Sequence, residues 1–279
     1  MQLHFVETGF FKLDGGAMFG IVPKRLWNRL NPADANNLCT WSMRCLLIQN
    51  GERTILVDTG LGDKQDEKFR SFFEPHGEAT LLGSLAALGV APEAVTDVFL
   101  THLHFDHCGG AVSKRPDGSL VPTFPEATYW TNEVHWRWAL EPNERERASF
   151  LKENFVPLEK AGRLRFLDVQ RDPCEWLPGI RVQFAYGHTE AMMLLHLDVE
   201  GQPWAYCADL LPSSFHLGLP YIMAYDVRPL VTLEEKTAFL EQAHRESWNL
   251  IFEHDPRTSH GRVTRNERGK YVLSTGQGE

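Results

Sequence analysis

Apolar residues recur along this chain in short blocks: CLLIQ at 45–49, TILVD at 54–58, DVFLT at 97–101, IRVQFAY at 180–186, MLLHLDV at 193–199, WAYCA at 204–208 and NLIFE at 249–253. Their β-branched, leucine and aromatic content predicts strands partly buried in a sheet. Helical spacing appears between some of them. Leu81, Leu82, Leu85 and Leu88 fall on one face, with Gly89 placed to end the helix. A second helix is predicted from Thr232, because Thr232 followed by Glu235 matches a capping box, with Ala238, Phe239 and Ala243 as its inner face. Strands dominate and helices intervene without a strict βαβ rhythm, so the expected class is α/β with two sheets packed face to face and helices outside.

Two segments break the pattern. Residues 14–44 and 212–229 are long, irregular, and mix Gly and Pro with large apolar side chains. Such loops shape binding sites or subunit contacts, or they cover the core. Their apolar residues Met18, Phe19, Trp27, Phe215, Leu219, Ile222 and Met223 are candidates to line a substrate pocket, with a homodimer contact or core packing as the other reading. The aromatic run WTNEVHWRW at 130–138 is expected to pack a helix.

Composition narrows the picture. With 279 residues and 43% hydrophobic content, the expectation is one domain, 1–279, with a substantial core. The formal charge of −9 gives phosphate backbones no general attraction, so nucleic acid is not the expected partner. No run approaches the roughly 18 apolar residues of a membrane span, and the first residues, MQLHFVETGF, lack an export pattern. Five cysteines, an odd number without CxxC spacing, fit buried thiols in a reducing cytoplasm better than a disulfide framework.

The chemistry concentrates in THLHFDHCGG, residues 101–110, where His102, His104, Asp106 and His107 place four ligands within six residues directly after a predicted strand. Side chains alternate in extended backbone, so His102 and His104 point the same way, and a turn after Phe105 brings Asp106 and His107 to a neighbouring position. One loop can thus serve two metals. Imidazole with carboxylate suits zinc, manganese, iron or cobalt, and the lack of thiolate argues for a catalytic rather than a purely structural site.

The HxHxDH string, with His188 in AYGHTE, Asp209 in YCADLL and His254 in FEHDP following it, resembles the signature of the metallo-β-lactamase superfamily. The resemblance implies an αββα sandwich holding two divalent metal ions, zinc first, with Mn2+, Fe2+ or Co2+ as alternatives. It implies one ion on His102, His104 and His188, the other on Asp106, His107 and His254, and Asp209 bridging. Asp58 in the VDTG turn matches a position that orients a ligand histidine, and also reads as a turn-former before Gly60. LDGGAMFGIVPKRLW and ADLLPS look like the quorum-quenching N-acyl homoserine lactonase branch. The implied reaction is ring opening of a small-molecule lactone by a metal-activated water, with Asp106 or Asp209 moving the proton. Organophosphates, β-lactams or thioesters are the alternative substrates. A metal-dependent oxidoreductase or sensor fits less well, because His104 stands where diiron relatives carry Glu. Two departures stand out. Several lactonases of the branch have a tyrosine where this chain has Pro212, so that Tyr221, Tyr225 or His216 would have to substitute, and Ala191 lies near a usual glycine.

Overall fold

The computed structural model describes residues 1–274, whose contacts gather into two compact units. The first comprises Met1–Phe11, Ser42–Arg171 and Ala191–Met193; the second comprises Lys12–Trp41, Asp172–Glu190 and the chain from Leu194 onward. The strands are β1 (Gln2–Val6), β2 (Phe10–Asp14), β3 (Leu38–Ser42), β4 (Cys45–Asn50), β5 (Arg53–Val57), β6 (Asp97–Phe99), β7 (Val112–Lys114), β8 (Leu120–Pro122), β9 (Thr128–Asn132), β10 (Leu164–Leu167), β11 (Cys174–Leu177), β12 (Ile180–Ala185), β13 (Met192–Val199), β14 (Gln202–Tyr206), β15 (Asn249–Ile251), β16 (His260–Arg265) and β17 (Tyr271–Leu273).

In the first unit a six-stranded mixed sheet runs in the order β1-β4-β5-β6-β9-β10. The pairs β1–β4 and β4–β5 are antiparallel, whereas β5–β6, β6–β9 and β9–β10 are parallel. Leu46, Leu47, Ile48, Ile55, Leu56 and Val57 are all fully buried. That is why β4 and β5 read as continuous apolar runs rather than alternating ones: both of their faces are covered. The helix Leu81–Ala87 is capped by Thr80, whose hydroxyl oxygen accepts the Gly83 N–H, and Gly89 follows it at φ 74°. Only Leu81 and Leu85 of the four-leucine stripe are buried; Leu82 and Leu88 face solvent. A stripe of four was too wide, since the helix touches the core along a single edge. The helix Glu133–Leu140, capped by Asn132, sends Trp136 into the same core as expected.

The second unit carries a mixed sheet whose seven strands follow chain order from β11 to β17. Its pair β14–β15 is parallel, with the helix Pro229–Arg245 in the crossover between them. That helix starts three residues before the predicted Thr232 and the capping box does not form. Pro229 occupies the first helical position, where its missing N–H costs nothing, and Thr232 lies inside, donating its hydroxyl to Arg228 O at 3.4 Å. Phe239 and Ala243 are buried as expected, but Ala238 is exposed. The segment 14–44 is more regular than its composition suggests: it holds the helix Gly15–Phe19, started by Asp14, the helix Lys24–Trp27, and β3. No helix among the described residues is long and apolar enough to cross a membrane. All five cysteines are free thiols, and Cys39, Cys45, Cys108 and Cys207 are buried.

Candidate metal centre

In the first unit the motif loop leaves β6, and its extended part ends at His104, one residue earlier than predicted; Phe105–Cys108 form a single helical turn. The loop is pressed against the turn after β5. Thr59 donates both its N–H (2.7 Å) and its hydroxyl (2.9 Å) to His107 O, and Gly110 N–H donates to Gly60 O at 3.1 Å. A Cβ on Gly109 would stand 1.9 Å from Leu61 O, so the two glycines after the motif are required by backbone approach.

Asp58 organises this half. It is fully buried at φ 56°, and its carboxylate accepts the Thr101 N–H at 2.8 Å and the Thr101 hydroxyl at 2.7 Å. The same carboxylate lies 3.1 Å from His107 Nδ1. One side chain thus sits in the turn at positive φ and also reaches His107. Because Thr101 gives its proton to Asp58, its oxygen accepts from His102 Nδ1 at 3.1 Å. His102 and His107 therefore both carry a proton on Nδ1, and in the neutral ring each presents a bare Nε2. His102 Nε2 lies 3.0 Å from His104 Nδ1, and His107 Nε2 lies 3.8 Å from the Asp106 carboxylate. The far nitrogen of His104 faces Glu146 at 3.6 Å. Glu146 is itself buried, and accepts from Trp138 Nε1 (2.8 Å) and Asn143 (2.7 Å).

In the second unit the three remaining residues sit just beyond the ends of β12, β14 and β15, as the sequence suggested. His188, Asp209 and His254 are buried, and Asp209 faces both histidines. One carboxylate oxygen lies 3.2 Å from His188 Nε2 and the other 3.1 Å from His254 Nε2. His188 Nδ1 donates to Asp226 at 2.8 Å, so its Nε2 also presents a lone pair. With the rings neutral, a lone pair set against a carboxylate oxygen at such a distance is repulsive unless a metal ion lies between them; a proton on Nε2 is the other way to relieve it. The nitrogen and oxygen donors are those of a zinc, manganese, iron or cobalt site. Both units thus carry His and Asp side chains of groups able to hold a metal ion.

The candidate pocket residues separate. Met18, Phe19, Trp27, His216 and Met223 lie in the interior, where Phe19 stacks on Trp27 at 5.2 Å and on His216 at 5.0 Å. Both His216 ring nitrogens have protein partners, the Ser213 hydroxyl at 2.7 Å and Met18 O at 2.9 Å, and burial pushes its pKa down to about 3. Phe215, Leu219 and Tyr221 line an apolar groove of about 1050 Å3, whereas Ile222 is half-buried and Tyr225 exposed. Pro212, in place of the tyrosine, offers its carbonyl to the His254 N–H at 2.9 Å. Ala191, near the usual glycine, takes φ 50°, a left-handed conformation that glycine adopts without strain. Glu146, Asp226 and Glu235 were not singled out as site residues from the sequence.

Two mixed sheets flanked by helices, with His and Asp side chains beyond strand ends in groups that could hold a metal ion, define the class. The metallo-β-lactamase superfamily model matches residues 44–254, and the chain belongs to that superfamily, with its fold and as one of its hydrolases. Among curated proteins it is similar to an N-acyl homoserine lactonase of Bacillus cereus, 26% identical over 211 residues that cover 71% of each chain. Among solved structures it is similar to a "probable metal-dependent hydrolase from Staphylococcus aureus", with TM-score 0.87, 25% identity and coverage of 99% and 97% of the two chains. The dizinc quorum-quenching lactonase AidC shares the fold, with TM-score 0.79, 19% identity and coverage of 99% and 95%.

Proposed function

We propose that the two half-sites act together as a dinuclear metal-dependent lactonase within a single domain. The observation that carries this reading is Asp209, whose two oxygens each face a different histidine Nε2, as a carboxylate shared by two cations requires. One ion would be held by His102, His104 and His188, the other by Asp106, His107 and His254, with Asp209 between them; zinc is the metal we expect. Bound there, two divalent ions supply an activated water at neutral pH and a Lewis acid for the substrate carbonyl.

The chain's own residues do the rest. Asp58 and Asp226 fix the tautomers of His107 and His188, so that no ligand must reorganise during turnover. Asp106 or Asp209 takes the proton released as the water oxygen bonds to the lactone carbonyl carbon. It returns that proton to the ring oxygen as the acyl C–O bond breaks, leaving a hydroxy acid. The apolar groove that includes Phe215, Leu219 and Tyr221 accommodates the acyl chain. Similarity to the Bacillus cereus N-acyl homoserine lactonase supports the choice of substrate class.

The test is acid release from N-acyl homoserine lactones of graded chain length by zinc-, manganese- or cobalt-loaded protein, with metal content measured alongside. We expect metal-dependent ring opening that falls by about a thousandfold or more in His104→Ala and Asp209→Ala. If two metals bind per chain and no lactone opens, the substrate assignment is wrong, and phosphotriesters, β-lactams and thioesters become the substrates to try.

A further inference from the structure

We infer that Glu235 is a positioning residue for His188, acting through the backbone of Tyr186 and Gly187. The inference rests on the proposed role of His188 as a metal ligand.

The turn that carries His188 is held almost entirely by the segment 226–235. Glu235 accepts the Tyr186 N–H on one carboxylate oxygen at 2.7 Å and the Gly187 N–H on the other at 3.1 Å. Arg228 donates a guanidinium N–H to Tyr186 O at 2.7 Å and its backbone N–H to Gly187 O at 2.9 Å. Val227 N–H donates to His188 O at 3.2 Å, and Asp226 receives His188 Nδ1. Both N–H groups and all three carbonyls of residues 186–188 named here therefore end on one short stretch of chain.

Glu235 is also not occupied in capping its own helix. It lies on the second turn of Pro229–Arg245, where the backbone has no vacant N–H for it. It is half-buried, and burial raises its pKa, so its placement has a cost that the two charge-assisted bonds offset. Gly187 fits the arrangement: a Cβ there would stand 2.2 Å from Thr232 Oγ1 and 2.4 Å from Thr232 N. The turn thus lies directly on the helix, and a displacement of the 186–187 peptide carries His188 Nε2 with it. A ligand's supporting contacts govern its metal affinity even when they never touch the metal.

The experiment uses the full chain, stripped of metal and then titrated with zinc against a competing chelator, together with the visible absorption spectrum of the cobalt-loaded protein. Glu235→Gln keeps the size of the side chain but sets an amide NH2 against one of the two N–H donors. We expect zinc at one site of Glu235→Gln to bind about 10- to 100-fold more weakly. We also expect an altered cobalt spectrum and an apo-protein melting temperature close to the parent's. Glu235→Asp, which keeps the charge, should recover part of the affinity and provides the folded comparison if the glutamine variant does not accumulate. Glu234→Gln, the exposed neighbour, should match the parent.

Parental affinity and spectrum in a folded Glu235→Gln or Glu235→Asp, alongside impaired binding in His188→Ala, would overturn the inference while leaving the proposed centre intact. So would an affinity loss that merely tracks destabilisation of the apo protein. If His188→Ala itself binds zinc like the parent, the ligand assignment fails first.

Discussion

Residues 102–107 and the trio His188, Asp209 and His254 present comparable imidazole and carboxylate donors by opposite means. The first set is one short loop, an extended stretch followed by a single helical turn, organised by Asp58 and pinned by the Thr59 N–H and hydroxyl, which both donate to His107 O. The second is spread over 67 positions, 188 to 254, and each member depends on where a different strand ends. A contiguous motif needs close backbone approach and a buried carboxylate such as Asp58, whereas in a dispersed one the histidines are held from separate parts of the chain. Asp226 and Glu235 serve His188 in that way, and the Pro212 carbonyl serves His254.

The comparison is broken most forcefully at the glycines. In Gly109→Ala the new methyl would sit 1.9 Å from Leu61 O, against backbone atoms of Gly60 and Leu61 with no flexible side chain to yield. We expect a loss of about 3 kcal/mol or more in a urea melt of the metal-free protein. Gly187→Ala meets Thr232 on the first turn of the helix, its methyl nearest the Oγ1 at 2.2 Å and next the backbone N at 2.4 Å, a less severe approach than at Gly109. Its expected loss is smaller, about 2 kcal/mol, and is accompanied by weaker metal binding. Equal losses at the two positions would mean that the compact and dispersed halves are held equally rigidly.

A finer comparison pairs the two carboxylates that take histidine Nδ1 protons. Asp58→Asn and Asp226→Asn should each weaken metal binding about 10- to 100-fold, because each frees its histidine to adopt the wrong tautomer. They should differ in stability. Asp58 also accepts two bonds from Thr101, so its asparagine variant should lose about 1–3 kcal/mol of apo stability. Asp226→Asn should lose less. Chelator competition and chemical denaturation on the same samples read both quantities, and equal stability losses would show that Asp58 has no wider structural role.

How far the site was legible follows the same division. HxHxDH announces itself because its spacing is set by one backbone conformation, and the superfamily resemblance then located His188, Asp209 and His254. Nothing in the spacing of Glu146, Asp226 or Glu235 marks them, since each meets its histidine or turn only through tertiary placement: Glu146 lies 42 positions after His104, and Asp226 lies 38 after His188. Thr232 and Glu235 show the opposite failure. They carry a local helix-start pattern, yet Pro229 begins the helix earlier and releases Glu235 for the His188 turn. The sheet cores were readable as apolar runs, but whether the apolar loop residues faced a groove or the interior was not. Phe19 and Leu219 have equally suitable side chains; stacking against Trp27 and His216 buries the first, and the second stays on a groove wall.

Ala191 gives the smallest and most discriminating effect. It closes the GHTEA segment at φ 50°, fully buried, with its carbonyl accepting from Asn132 Nδ2 at 2.8 Å. Glycine there would relieve about 1–2 kcal/mol of left-handed strain. It would also add about 0.5–1 kcal/mol of chain entropy to be lost on folding and forfeit about 0.8 kcal/mol of methyl burial. The terms nearly cancel, so Ala191→Gly should shift apo stability by no more than about 0.5 kcal/mol. Ala191→Val adds a branched side chain that resists this conformation and overfills a closed site, and should cost about 2 kcal/mol or more. If the glycine variant instead gains well over 1 kcal/mol, the alanine is under real strain and the turn is held against it by its neighbours. A neutral result would mean that what this position needs is a small side chain, with glycine only one way to supply it.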